Sequence, residues 1–209
     1  MIKSLIYKNK IKLNNNPHLK EIIFGSAYTI VIKIFGMILG LGVTFLISKI
    51  YGAEGIGLYN LSVRTIIILS IVSTLGINTS ILRYVGQFNK KGHEHKLKQL
   101  YKLSIQIVLP TSILIGIALF ISSDMIANNL FDNINYKEPL KLLSIILPFL
   151  VILNISVEYI RGLKSIKISE SLRSVTRPTI NIIFLIIISS FTSSYLVPYF
   201  TFSGVLIHS

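Results

Sequence analysis

The sequence predicts an all-α fold, a polytopic membrane helix bundle of five transmembrane helices and the start of a sixth. Three observations carry that prediction. Hydrophobic residues make up 52% of the chain and charged residues only 14%, with a mean hydropathy of +0.69, which excludes an ordinary water-soluble domain. Apolar runs of about 20–25 residues recur along the chain, and at a rise of about 1.5 Å per residue each can cross roughly 30 Å of hydrocarbon. The net charge of +13 is gathered between those runs and follows no amphipathic face or nucleic-acid-binding motif. The partner this implies is a lipid bilayer, and no nucleic acid is expected.

Residues 1–25 read as a basic cytoplasmic arm, with Lys3, Lys8, Lys10, Lys12 and Lys20 around Asn14-Asn15-Asn16-Pro17, and residues 26–209 as the membrane bundle. The first span, 26–50, organises the rest. Wound at about 100° per residue, it puts Ser26, Thr29, Lys33, Gly36, Gly40, Thr44 and Ser48 on one face and Ile, Leu, Phe, Val and Met over the remainder. The apolar side faces lipid. Gly36 and Gly40 form a GxxxG pair that lets another helix backbone approach. Two readings of the stripe stay open: a packing seam whose lysine snorkels to an interface, or a polar wall where Lys33 needs water, an anion or a carboxylate. Residues 51–57 hold three glycines and permit a tight reversal.

The second span, 61–84, carries Arg64 and Arg83 near its ends and is interrupted at Gly76-Ile77-Asn78-Thr79. The polar connection that follows contains His93-Glu94-His95, without a further ligand beside it, so a solvated basic loop or short surface helix is expected and no metal site. The third span, 103–122, contains Pro110 and the fourth, 140–160, contains Pro148; each proline marks an expected kink. Between them lies the one acidic connection, with Asp124, Asp132 and Glu138 against Lys137. Residues 161–177 are basic again, Pro178 suits the first turn of a fifth span at 179–199, and residues 205–209 begin a sixth helix. There is no cysteine, hence no disulfide or thiolate site, and no cofactor is expected.

Alternate connections differ sharply in charge. The amino-terminal arm and the connections after the second and fourth spans hold sixteen of the twenty-one Lys and Arg residues. The positive-inside rule then places the amino terminus in the cytoplasm of a multi-pass protein of the cell (inner or plasma) membrane. Lys33 would lie about 10 Å inside the cytoplasmic end of the first helix, and Asn78 and Glu158 also fall in the inner half. The expected cavity residues are therefore Lys33, Asn78 and Glu158, with Glu158 as the partner of Lys33; the alternative pairs Glu158 with Arg161 at i+3. No catalytic residue is expected. The acids predicted outside (Glu54, Asp124, Asp132 and Glu138) lack the partners that acid–base or metal chemistry needs, so the chain does not read as an enzyme.

Two stretches carry a resemblance. In residues 48–88 a turn, Gly52-Ala53-Glu54-Gly55-Ile56-Gly57-Leu58-Tyr59, precedes a helix closing on Leu75-Gly76-Ile77-Asn78-Thr79 and Arg83-Tyr84; in residues 159–180, Arg161-Gly162-Leu163 and Arg177-Pro178 flank a basic loop. Their order and spacing resemble the polysaccharide-biosynthesis branch (O-antigen-type flippases) of the multidrug/oligosaccharidyl-lipid/polysaccharide exporter superfamily, over most of residues 26–200. The resemblance implies a flippase moving lipid-linked oligosaccharide or polysaccharide repeat units from the cytoplasmic to the outer leaflet. It also implies two six-helix lobes around a cationic cavity for the pyrophosphate-sugar head group. Lys33 falls where a basic residue of the first helix lines the cavity of related peptidoglycan-precursor flippases. Residues 65–75 carry no cation, which leaves Lys33 the main cavity candidate.

Five spans make up most of one lobe, so the expectation is an amino-terminal fragment, or a partner to a chain supplying the second lobe. Two alternatives remain: a multidrug-type cation antiporter, for which Glu158 is the available cavity acid, and a non-transporting membrane remnant or partner subunit.

Overall fold

The computed structural model describes residues 17–89 and 93–191, which are helical almost throughout, with no strand among them. In chain order the helices are α1 (Pro17–Thr74), α2 (Ile77–Phe88), α3 (Glu94–Met125), α4 (Lys137–Gly162), α5 (Ile166–Ser171) and α6 (Arg177–Phe191). Short irregular turns join α3 to α4 and α5 to α6. The arm up to Asn16, the end of the predicted fifth span and the sixth-helix start at 205–209 lie outside the described residues. The fold is the all-α bundle expected, and three stretches, Gly25–Thr74, Glu94–Leu130 and Ile134–Gly162, are long and apolar enough to cross a membrane.

Helix α1 contains the first predicted span and the second as far as Thr74, with one sharp break. Gly52 has φ 69° and ψ −166°, outside helical space and open at little cost only to glycine. That one residue reverses the chain. Gly42 sits against Ile182, and the Tyr59 hydroxyl accepts a hydrogen bond from Asn181 Nδ2 at 3.3 Å. In a straight helix Gly42 and Tyr59 would be about 25 Å apart; here both meet the same turn of α6. The reversal expected across residues 51–57 is therefore real, though most of its residues stay helical. The helix also begins at Pro17, nine residues before the expected span, so Lys33 is about 24 Å from the helix start and about 28 Å from Gly52, not 10 Å inside one end.

A second break separates α1 from α2, where Leu75 (φ 48°) and Gly76 (φ 77°) are both left-handed. Such a break removes the i+4 donor that would serve the Ser73 carbonyl, and the Thr111 hydroxyl of α3 lies 2.8 Å from that oxygen. The interruption foreseen at Gly76 is thus bridged from a neighbouring helix. Pro110 and Pro148 lie inside α3 and α4, which continue on both sides of them.

The centre of the bundle is α4. Leu140, Leu143, Leu147, Val151 and Ile155 are almost wholly covered, whereas Val31, Met37, Leu41 and Phe45 of α1 are mostly exposed, as a lipid-facing surface requires. Hydrocarbon is as apolar as leucine, so close packing, not escape from water, must hold these helices together. The close approaches occur at small residues. Gly116 of α3 lies on the Ser144 carbonyl, Gly162 of α4 on Val85 and the Leu82 carbonyl, and Gly36 of α1 on the Ser174 carbonyl. Gly40 has open space where a side chain would go, so only the first member of the expected Gly36–Gly40 pair packs among the described residues. At the end of the bundle that holds the Gly52 turn, Asn135 Nδ2 donates to Glu54 Oε1 at 2.9 Å, Lys137 pairs with Asp124, and buried Tyr136 donates to Thr65 Oγ1 at 2.8 Å.

The glycine contacts give a direct test. Gly36→Ala should lower stability in thermal unfolding of the detergent-solubilised protein by about 1–3 kcal/mol through overpacking. Gly40→Ala should be neutral or stabilising by up to about 1 kcal/mol, because it gains helix propensity and meets nothing.

Candidate functional site

The polar stripe of α1 opens onto a cleft. Gly25, Ser26, Thr29 and Lys33 recur at helical spacing and line a cavity of about 510 Å³, closed on its other side by Arg161 from α4, Lys164 from the turn after it, and Ile166 and Glu170 from α5. Local geometry produces this grouping. Helix α4 ends at Gly162, Lys164 takes a left-handed conformation (φ 64°), and the chain turns at once into α5, which is laid against α1. Tyr28 helps to hold it there, with its hydroxyl 3.5 Å from Ser171 Oγ and the Lys167 ammonium 5.4 Å from its ring centre.

The electrostatics differ from expectation in one essential respect. Lys33 Nζ faces Glu170 Oε2 at 3.9 Å, not Glu158. Glu158 instead sits between two guanidiniums, 3.6 Å from Arg161 Nη1 and 3.4 Å from Arg173 Nη2. The local i+3 pairing with Arg161 is therefore present, and the turn at Leu172–Thr176 adds Arg173 across the chain. Glu158 does not line the cleft; it ties α4 to the segment after α5 and fixes Arg161 at the cleft wall. Asn78 does not line it either. It lies in the first turn of α2, half-buried, and its Oδ1 accepts no hydrogen bond among the described residues. Of Lys33, Asn78 and Glu158, only Lys33 reaches the cavity.

The residue that sequence reasoning passed over is Glu170. It is 3% exposed, and its Oε2 accepts no hydrogen bond among the described residues. One signal was present: it is the single carboxylate in the otherwise basic stretch 161–177. Arg161 and Lys164 were visible as loop cations but not as parts of a site, because their meeting with Lys33 depends on how α5 lies on α1. Three cations and one carboxylate thus surround a partly enclosed space, where charges interact more strongly than in bulk water.

The sequence pattern of a family described as polysaccharide biosynthesis protein matches residues 22–208. No curated protein and no solved structure matches the chain.

Because Glu158 serves two arginines while Glu170 faces one largely exposed lysine, their removal should differ. Glu158→Gln should cost about 1–3 kcal/mol in thermal or denaturant unfolding. A Lys33→Ala, Glu170→Gln double-mutant cycle should give a coupling below about 1 kcal/mol.

Proposed function

This chain belongs to the polysaccharide biosynthesis protein family, and from that membership and its cationic cleft we propose that it carries lipid-linked saccharides across the membrane. In this reading the cargo is an oligosaccharide or polysaccharide repeat unit on a lipid phosphate or pyrophosphate. It moves from the cytoplasmic to the outer leaflet without any covalent bond being made or broken. The observation that carries the reading is the meeting of Lys33, Arg161 and Lys164 around one cavity beside a helix whose outer face is apolar.

Each part has a task. Arg161 and Lys164 stand where a phosphate can be met by guanidinium and ammonium groups, and Arg offers the planar fork that phosphate oxygens accept. Lys33 extends the positive field deeper along α1, toward the level at which Gly36 packs on Ser174. The exposed flank of α1 leaves the lipid tail in hydrocarbon while the head group is held. A second lobe, on this chain or another, would supply the opposite wall, and rocking of the two would expose the cleft to each side in turn. Cations outnumber the carboxylate three to one at the cleft, which weighs against a positively charged drug as cargo. In this reading the amino terminus and the mouth of the cleft face the cytoplasm, which the gathering of Lys and Arg in alternate connections supports.

The test is export in cells that lack their own lipid-linked-saccharide exporter, with this chain expressed alone and beside a chain supplying a second lobe. Lys33→Ala should lower surface polysaccharide by about tenfold or more, equivalent to the loss of one good charge contact. Lys33→Arg should retain most of it. Export that is indifferent to Lys33→Ala would remove the cleft from the transport path.

A further inference from the structure

We infer that Glu170 is the resident counter-charge of the cleft, a carboxylate that competes with an incoming phosphate for Lys33 and so keeps binding weak enough for the cargo to leave. The inference rests on the cleft being an anion site. What is new is the role of the one acid in it. Glu170 is buried in a segment crowded with cations, yet its Oε2 accepts no hydrogen bond among the described residues and looks across 3.9 Å at Lys33 Nζ. Glu158 Oε2 likewise accepts no hydrogen bond, but that carboxylate has guanidiniums at 3.4 and 3.6 Å, whereas Glu170 has one ammonium at 3.9 Å among the described residues. Glu170 is poised and incompletely satisfied.

Lys33 faces Glu170 from α1, while Arg161 from α4 and Lys164 from the following turn share its cleft. On α5 itself Lys167 is turned away over the Tyr28 ring. Next to the cleft, Glu158 and Arg173 offset each other. The lining therefore carries two positive charges in excess, matching the two negative charges of a pyrophosphate diester. Without Glu170 the excess rises to three. A phosphate oxygen that reaches Lys33 must come within a few ångströms of the Glu170 carboxylate, where like charges repel strongly in a partly enclosed site. A transport site must bind well enough to load and loosely enough to release. Glu170 sets that balance by occupying, from within the protein, the position an anion would take.

The experiment measures binding to the whole chain in lipid nanodiscs, with inorganic pyrophosphate and a prenyl pyrophosphate as probes. Glu170→Gln should tighten binding about tenfold and Lys33→Ala should weaken it by a similar factor. Glu170→Ala, checked by thermal unfolding, serves as a second variant should the glutamine disturb the fold. Tightening for either probe supports the inference, and the larger response tells whether the phosphate arrives on a lipid or from solution. If Lys33→Ala leaves both affinities unchanged, the anion-site reading fails. If Lys33→Ala weakens binding while neither Glu170 variant tightens it, the cleft stands as an anion site and the role given to Glu170 is wrong.

Discussion

Charge and open backbone groups have to be kept out of hydrocarbon, and the architecture depends on how this chain meets that demand. Each departure from regular helix is met by a specific partner or placed at a turn. The break at Leu75–Gly76 is answered by Thr111 of a neighbouring helix, and the reversal at Gly52 is made in a single residue where the connection ends against Asn135 and Glu54. Buried acids follow the same rule. Glu158 is held between Arg161 and Arg173, and Glu170 faces Lys33. An unpaired carboxylate buried as Glu158 and Glu170 are is costly, whereas the largely exposed Lys33 ammonium is not.

The same pairs build the site. Helix α4 is the buried centre, and its last turn projects Arg161 toward α1 while Glu158 behind it holds Arg173. The short helix α5 closes the arrangement, because it carries Glu170 to Lys33 and leads into the turn where Ser174 meets Gly36. Helix packing and the cleft are therefore built by one stretch, residues 161–174. The segment that pins α1 to α4 is also the segment that lines the cleft, so a shift of α5 alters charge spacing and helix packing together.

Packing in the bundle follows the logic of a membrane interior. Glycine contacts at positions 36, 116 and 162 bring backbones together where extra leucines would gain little, hydrocarbon being already apolar. The face of α1 opposite its polar stripe stays bare among the described residues, and that bareness suits a protein whose solvent on that side is lipid. Gly40 shows the limit of motif reasoning. It belongs to a GxxxG spacing, yet nothing stands opposite it.

By itself the sequence determined the all-α membrane class, the polar stripe on the first helix, the reversal near Gly52 and the interruption at Gly76. All of these are local, set by hydropathy, periodicity and the backbone freedom of glycine within a few residues. It also singled out Lys33, since a cation in an apolar run is conspicuous without any partner in view. Only the tertiary structure decided what Lys33 faces, and it chose Glu170 over Glu158 while leaving Asn78 away from the cleft. The physical reason is distance along the chain. Residues 33 and 170 are joined by no helical period, and their meeting depends on a left-handed turn at Lys164 and on the way α5 settles against α1, which periodicity cannot encode.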